Sequence, residues 1–135
     1  RGPHYTELAL ALGLSTEEAR QAQDDAIQGA RIGCWKSPLT DYIGSVAPFS
    51  NIPTQYLISV DGVQKWYGQG GLESLAVRWL FPGREVRVDT LDLATAEPIV
   101  LRFRDEEILE VSPDTVVGHI CIPMPRWGEE EPPYN

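Results

Sequence analysis

The pair Asp61-Gly62 stands between two β-rich runs, Gln55 to Val60 and Val63 to Tyr67. Both residue types accept a positive φ, which a type I′ turn needs at its two central positions. The pair therefore predicts a tight antiparallel hairpin, and the turn sets the register of its two strands. Directly after it come Gly68, Gly70 and Gly71, then Leu72, Leu75, Ala76 and Trp79 at i, i+3, i+4 and i+7. That spacing predicts a helix with one buried face. Phe81-Pro82-Gly83 ends it, because proline and glycine both interrupt helices. Downstream the pattern is β. Glu85 to Asp89 alternates, with Val86 and Val88 on one face; Leu91 to Pro98 connects; Ile99 to Phe103, Glu107 to Val111 and Val116 to Ile122 follow as strands.

Upstream, the run Glu7-Leu8-Ala9-Leu10-Ala11-Leu12 is closed by Gly13. Ser15 and Glu18 have capping-box spacing, so a second helix is predicted from Thr16 to about Gln28. Its apolar positions, Ala19, Ala22, Ala26 and Ile27, form a thin stripe of small side chains. Helix, turn and helix give a helix-turn-helix outline. A DNA reader would carry Arg or Lys where this chain carries Glu17, Glu18, Asp24 and Asp25, and the net charge of −9 repels phosphate. The expectation is a helical cap, with no nucleic-acid partner. Gly29 to Pro53 is broken by glycine and proline and reads as a long connection, with one short strand near Tyr42 to Val46. Its aromatics, Trp35, Tyr42 and Phe49, suit either a pocket cover or loop anchors.

The fold class expected is α+β: a helix-turn-helix-like N-terminal cap on a mostly antiparallel sheet with one central helix. The expected division is 1–53 for the helical region and long loop, 54–124 for the core, and 125–135 for an acidic, proline-rich tail. Hydrophobic residues make up 42% and charged residues 23%, ordinary for a globular domain. No apolar run approaches the ~18–20 residues of a membrane span, so no membrane partner is expected. No apolar signal segment opens the chain, and Arg1-Gly2-Pro3 reads as a truncation or cleavage scar. Cys34 and Cys121 lack any Cys-x-x-Cys or Cys/His company. Neither a disulfide, a metal nor a cofactor is suggested, and a reducing cytoplasm is the expected location.

One stretch resembles a known family. Trp66-Tyr67-Gly68-Gln69-Gly70-Gly71-Leu72-Glu73-Ser74-Leu75, continued by Phe81-Pro82-Gly83-Arg84-Glu85-Val86-Arg87-Val88, is similar to the central part of the bacterial organomercurial (alkylmercury) lyases. There a hairpin ending in an aromatic residue leads into a Cys-Ala-Leu-Asp-x-Leu helix start. A proline, a Gly-Arg pair and an alternating strand follow. Val111-Ser112-Pro113, the Val116 to Pro123 stretch and the Ala-Leu-Gly-Leu-Ser-x-Glu-Glu-Ala pattern near the N-terminus fit the same order of elements. The resemblance implies an alkylmercury-lyase-like fold. It also implies chemistry in which two cysteine thiolates hold mercury and an aspartate delivers a proton. Mercury is soft and prefers sulfur to oxygen.

The departures bear on function. Aligned on Leu72 and Leu75, the first cysteine position holds Gly70 and the aspartate position holds Glu73. The second cysteine is expected in a downstream segment that this sequence, ending in its acidic tail, does not carry. Glu73 is thus the acid/base candidate, set against a plain role complementing the helix dipole. Tyr67, Gln69, Gly70, Gly71 and Trp35 are binding candidates. The glycines suit either an anion at free helix amides or simply a tight strand-to-helix turn. Cys34, beside Lys36, and Cys121 are candidate thiols, and His119 a candidate acid or base; the plainer reading of each is structural. The leading functional expectation is a repurposed family member, an enzyme or binder of a small molecule. The alternatives are a non-catalytic protein that holds a protein partner and a genuine organomercurial lyase.

Overall fold

The computed structural model describes residues 2–30 and 33–119. They fall into two compact units, one built on Arg1–Val46 and the other on Ala47–Gly118. The first holds α1 (Tyr5–Leu12), α2 (Thr16–Ala30), β1 (Cys34–Lys36) and β2 (Ile43–Val46). The second holds β3 (Phe49–Ser50), β4 (Leu57–Val60), β5 (Val63–Gly68), α3 (Gly71–Ala76), β6 (Glu85–Leu91), β7 (Pro98–Arg104) and β8 (Glu107–Ser112).

In the first unit the helix ends are set by local chemistry. Gly13, at φ 69°, caps α1 in the left-handed conformation, and its N–H donates to the Ala9 carbonyl. Ser15 and Glu18 form the expected capping box: the Glu18 carboxylate accepts from the Ser15 N–H at 2.9 Å, and Ser15 Oγ accepts from the Glu18 N–H at 3.2 Å. A second box, His4 with Glu7, starts α1 and was not anticipated, since histidine is an unusual cap. β1 and β2 pair antiparallel, Cys34 opposite Val46 and Trp35 opposite Ser45. The stretch from Gly29 to Pro53, read as a connection with one strand, therefore contains three among its described residues: β1, β2 and β3. They are two to four residues long, too short for periodicity to register.

In the second unit the strand order is β3-β5-β4-β6-β7-β8, every described pair antiparallel. Asp61 (φ 49°) and Gly62 (φ 76°) form the predicted hairpin turn. The register sets Ile58 opposite Val88 and Val60 opposite Val86, which gathers them on one face with Val77. Ile58, Val60, Val77 and Val86 are fully buried, and Phe49, Trp66 and Phe81 pack around them. The opposite face is charged. Arg102 forks onto both Glu85 oxygens at 2.9 and 3.0 Å and reaches Glu110 at 2.9 Å.

The turn aspartates have a second task. Asp61 accepts from Arg84 Nε at 2.6 Å and from the Glu85 N–H at 3.0 Å, and Asp105 accepts from the Gly83 N–H at 2.7 Å. Two hairpin turns thus hold the Gly-Arg pair and the start of β6.

Two expectations are corrected. The helix after the glycines does not bury Leu72 and Trp79, which are 43% and 60% exposed. After Ala76 the chain tightens into a 3-10 helix, Val77–Leu80, and the buried residues are Ser74 and Val77. Trp79 instead donates from its indole nitrogen to Glu106 at 3.0 Å, and Arg78 lies between the Trp79 and Phe103 rings. A strand over Val116 to Ile122 is also not formed in its described part: 116–119 have no regular structure, and 120–122 lie outside the described residues.

The ion pairs give a pH dependence. The hydrogen bond from Arg84 holds the Asp61 carboxyl below its ordinary range, and that from Arg102 does the same for Glu85. Their stabilisation is complete above the unfolded values of about 3.9 and 4.3 and is lost as pH falls through the lower folded values. Urea midpoints of the wild type should drop from about pH 5 downward. The double variant Asp61→Asn, Glu85→Gln should be less stable near pH 7 and should show a visibly shallower acid limb.

Candidate functional site

β5 delivers Tyr67 and Gly68 to the edge of the core, and Gln69 and Gly70 carry the chain into α3. The turn is tight because the helix sits directly on the strand. A Cβ on Gly68 would lie 1.9 Å from Ser74 Oγ and 3.2 Å from Ile58 Cδ1. One on Gly71 would lie 3.3 Å from the Tyr56 hydroxyl. Gly70 has an extended backbone, φ −156° and ψ −178°, which any residue adopts. Its carbonyl accepts from both the N–H (2.9 Å) and the hydroxyl (2.5 Å) of Ser74.

The turn's own backbone is largely committed. The Gly68 N–H donates to the Tyr56 carbonyl at 2.9 Å, and the Gln69 N–H to the Pro48 carbonyl at 3.0 Å. Thr54 Oγ1 donates to the Gly68 carbonyl at 2.7 Å. Close packing therefore supplies a reason for Gly68 and Gly71 that needs no anion. The other candidates at this turn are the side chains of Tyr67, Gln69 and Glu73, each half-buried, next in sequence to the buried Gly70. These four candidates, with Gly71, all lie within residues 67–73, from the end of β5 to the first turn of α3.

The remaining candidates lie elsewhere. Cys34 and Trp35 are in β1 of the first unit. His119 is exposed, and Cys121 lies outside the described residues. Burial pushes the Cys34 thiol up, away from the thiolate that a soft metal or a nucleophilic role requires. Lys36, two residues on, does not offset this. Lys36 Nζ is held by Asp24 at 2.7 Å and Asp41 at 2.8 Å, which neutralise its charge locally.

Sequence reasoning missed one surface feature. The small residues of α2, read only as a thin stripe, leave an apolar groove of about 180 Å³ beside Cys34, with Gln23 in its wall. The stripe itself was the available signal: alanines cannot fill the space that leucines would. Among the described residues no cluster of three or more His, Cys, Asp or Glu side chains is placed to hold a metal, and no helix is long and apolar enough to cross a membrane.

The order of elements around the glycine turn is that of a known family, and the family model for alkylmercury lyase, MerB, matches residues 49–132. The chain belongs to the alkylmercury lyase family. The crystal structure of the mercury-bound form of MerB2 is similar, with a TM-score of 0.62 and 17% identity. The match covers 84% of this chain and 53% of that one, so this chain spans about half the length of that relative. At this identity the likeness shows the shared α+β fold. No curated protein matches the chain.

The packing at the turn is testable. Gly68→Ala should destabilise by about 1–3 kcal/mol, the usual cost of overpacking a filled site. Gly29→Ala, in α2 with nothing within 4 Å of the added carbon, should stabilise by about 0.5–1 kcal/mol instead. Urea titrations of both variants decide it; equal effects would mean that the Gly68 site has room to spare.

Proposed function

We propose that this alkylmercury lyase family member acts on or binds a small organic molecule at the start of α3, with Glu73 as its proton donor or acceptor, rather than cleaving carbon–mercury bonds through paired thiolates. One observation carries the reading. Gly70, buried at the helix start, stands where the family resemblance places the first mercury-binding cysteine, while Glu73 keeps a carboxylate in the first turn beyond it.

Mercury cleavage needs sulfur ligands because a soft cation binds oxygen and nitrogen far less tightly. A glycine supplies no ligand atom. The described cysteine, Cys34, has its thiol raised and so favours the neutral form. A carboxylate, by contrast, moves protons whether or not a metal is present. General acid or base catalysis from one positioned group contributes roughly 10²- to 10⁴-fold. Glutamate reaches one methylene further than aspartate, so the reacting atom would sit slightly farther from the helix backbone. Tyr67 and Gln69 flank that position with a hydroxyl and an amide, both suited to orienting a polar substrate.

A thermal-shift screen of small organic acids, alcohols and amines tests this. A true ligand at about 100 times its Kd should stabilise the wild type by about 2.7 kcal/mol. Glu73→Gln should fold normally and lose that shift, or lose turnover by the factor above where turnover is found. Shifts that are identical in Glu73→Gln would contradict the assignment.

A further inference from the structure

Arg78 differs from Arg84, Arg87 and Arg102. Those three each donate to a carboxylate, Asp61, Asp89 and Glu85 respectively, at 2.6 to 2.9 Å. Their side chains are 48%, 40% and 32% exposed. The Arg78 side chain is only 19% exposed, yet the carboxylate it pairs with, Glu106, is 3.6 Å away. That is too far for a hydrogen bond. Its Nε is buried and has no partner. The least exposed of the four guanidinium groups is therefore the one that makes no hydrogen bond among the described residues.

Aromatic rings hold it instead. Its guanidinium carbon lies 5.2 Å from the Trp79 ring centroid and 5.0 Å from that of Phe103. The rings attract the cation and fix its orientation. They supply no oxygen to its five N–H donors, which need acceptors once water is removed. Nε is the one nitrogen of the three that is sealed off without a partner, so the terminal nitrogens reach the surface. Glu106 stands near them without filling the place. It is 78% exposed, and its Oε1 is engaged by the Trp79 indole N–H at 3.0 Å. Trp79 itself is 60% exposed, which leaves ring surface open beside the fork.

We propose that the Arg78 fork is a binding site for a small aromatic carboxylate, whose two oxygens accept from the terminal nitrogens of Arg78 and whose ring lies against Trp79. A planar carboxylate matches the planar fork with two parallel hydrogen bonds. The fork is already oriented by two rings and partly out of water, so little freedom is lost when the pair forms. The exposed Trp79 ring gives the apolar part of the ligand a surface to cover. The net charge of −9 repels anions in general, so uptake at this one point depends on the fork itself. Glu106 is the resident competitor, a carboxylate of the chain poised at the edge of the same place. The site shares no residue with the Glu73 turn and stands without it.

The test is a titration of the full ¹⁵N-labelled chain with benzoate, and with benzamide as a neutral probe of the same shape, at constant ionic strength. The readout is the Nε–Hε signal of Arg78, identified by its nuclear Overhauser contacts to the Trp79 and Phe103 rings. Benzoate should move that signal saturably. Benzamide should bind at least about 10-fold more weakly, the factor that hydrogen bonds to a charged group supply. Arg78→Lys keeps the charge but loses the fork, and should weaken benzoate by a similar factor. Glu106→Gln keeps an acceptor for the Trp79 indole and removes the competing charge, so it should tighten benzoate by roughly 2- to 5-fold. An Arg78 signal that does not move, equal affinity for benzamide, benzoate binding undiminished in Arg78→Lys, or binding unchanged or weakened in Glu106→Gln would each overturn the proposal.

Discussion

The second unit depends on the close approach of α3 to the end of β5. Gly68 lacks a side chain, and Ser74 fills the space where one would be. That contact lets Ser74 turn back onto the Gly70 carbonyl and lets Val77 reach the core formed by Ile58, Val60 and Val86. A larger residue at 68 would lift the helix from the sheet and open the same core. The hydrophobic term is the main drive, but it acts only at contact distance. The glycine is what permits contact.

The same contact explains the part of the site that was hard to read from sequence. The spacing of Leu72, Leu75, Ala76 and Trp79 is a valid amphipathic pattern, yet the buried residues are Ser74 and Val77. A serine facing a glycine leaves no hydrophobic signature, and the change to a 3-10 helix after Ala76 breaks the 3.6-residue period. The hairpin, by contrast, was legible, because positive φ at two successive positions demands particular residues and Asp61-Gly62 meets the demand. So were the Ser15–Glu18 box and the Gly13 cap, which are local rules. The long-range roles of Asp61 and Asp105 were not: nothing in a turn sequence shows which distant amide its carboxylate will hold. The groove at Gln23 was legible only as an excess of alanine.

Family membership is shown by the matching family model, and the site chemistry proposed above rests on a few residues inside that match. The Gly-Arg pair, the hairpin and the alternating strand that mark the family are the pieces that Asp61, Asp105 and the β6 register tie together. They are structural, so they mark the fold whatever the reactive residues are. Gly70 makes no demand on the backbone that only glycine meets. Under the proposed function, it marks the place where a thiol at the start of α3 has been given up.

That claim is open to a direct measurement: benzene released from phenylmercury by the purified chain under reducing conditions, followed by gas chromatography over many hours. The account predicts release at the rate of buffer with free thiol, unchanged when Cys34 and Cys121 are both replaced by serine. Release well above that background, lost in the double replacement, would contradict it and would make this chain a working carbon–mercury lyase with its thiols in new places.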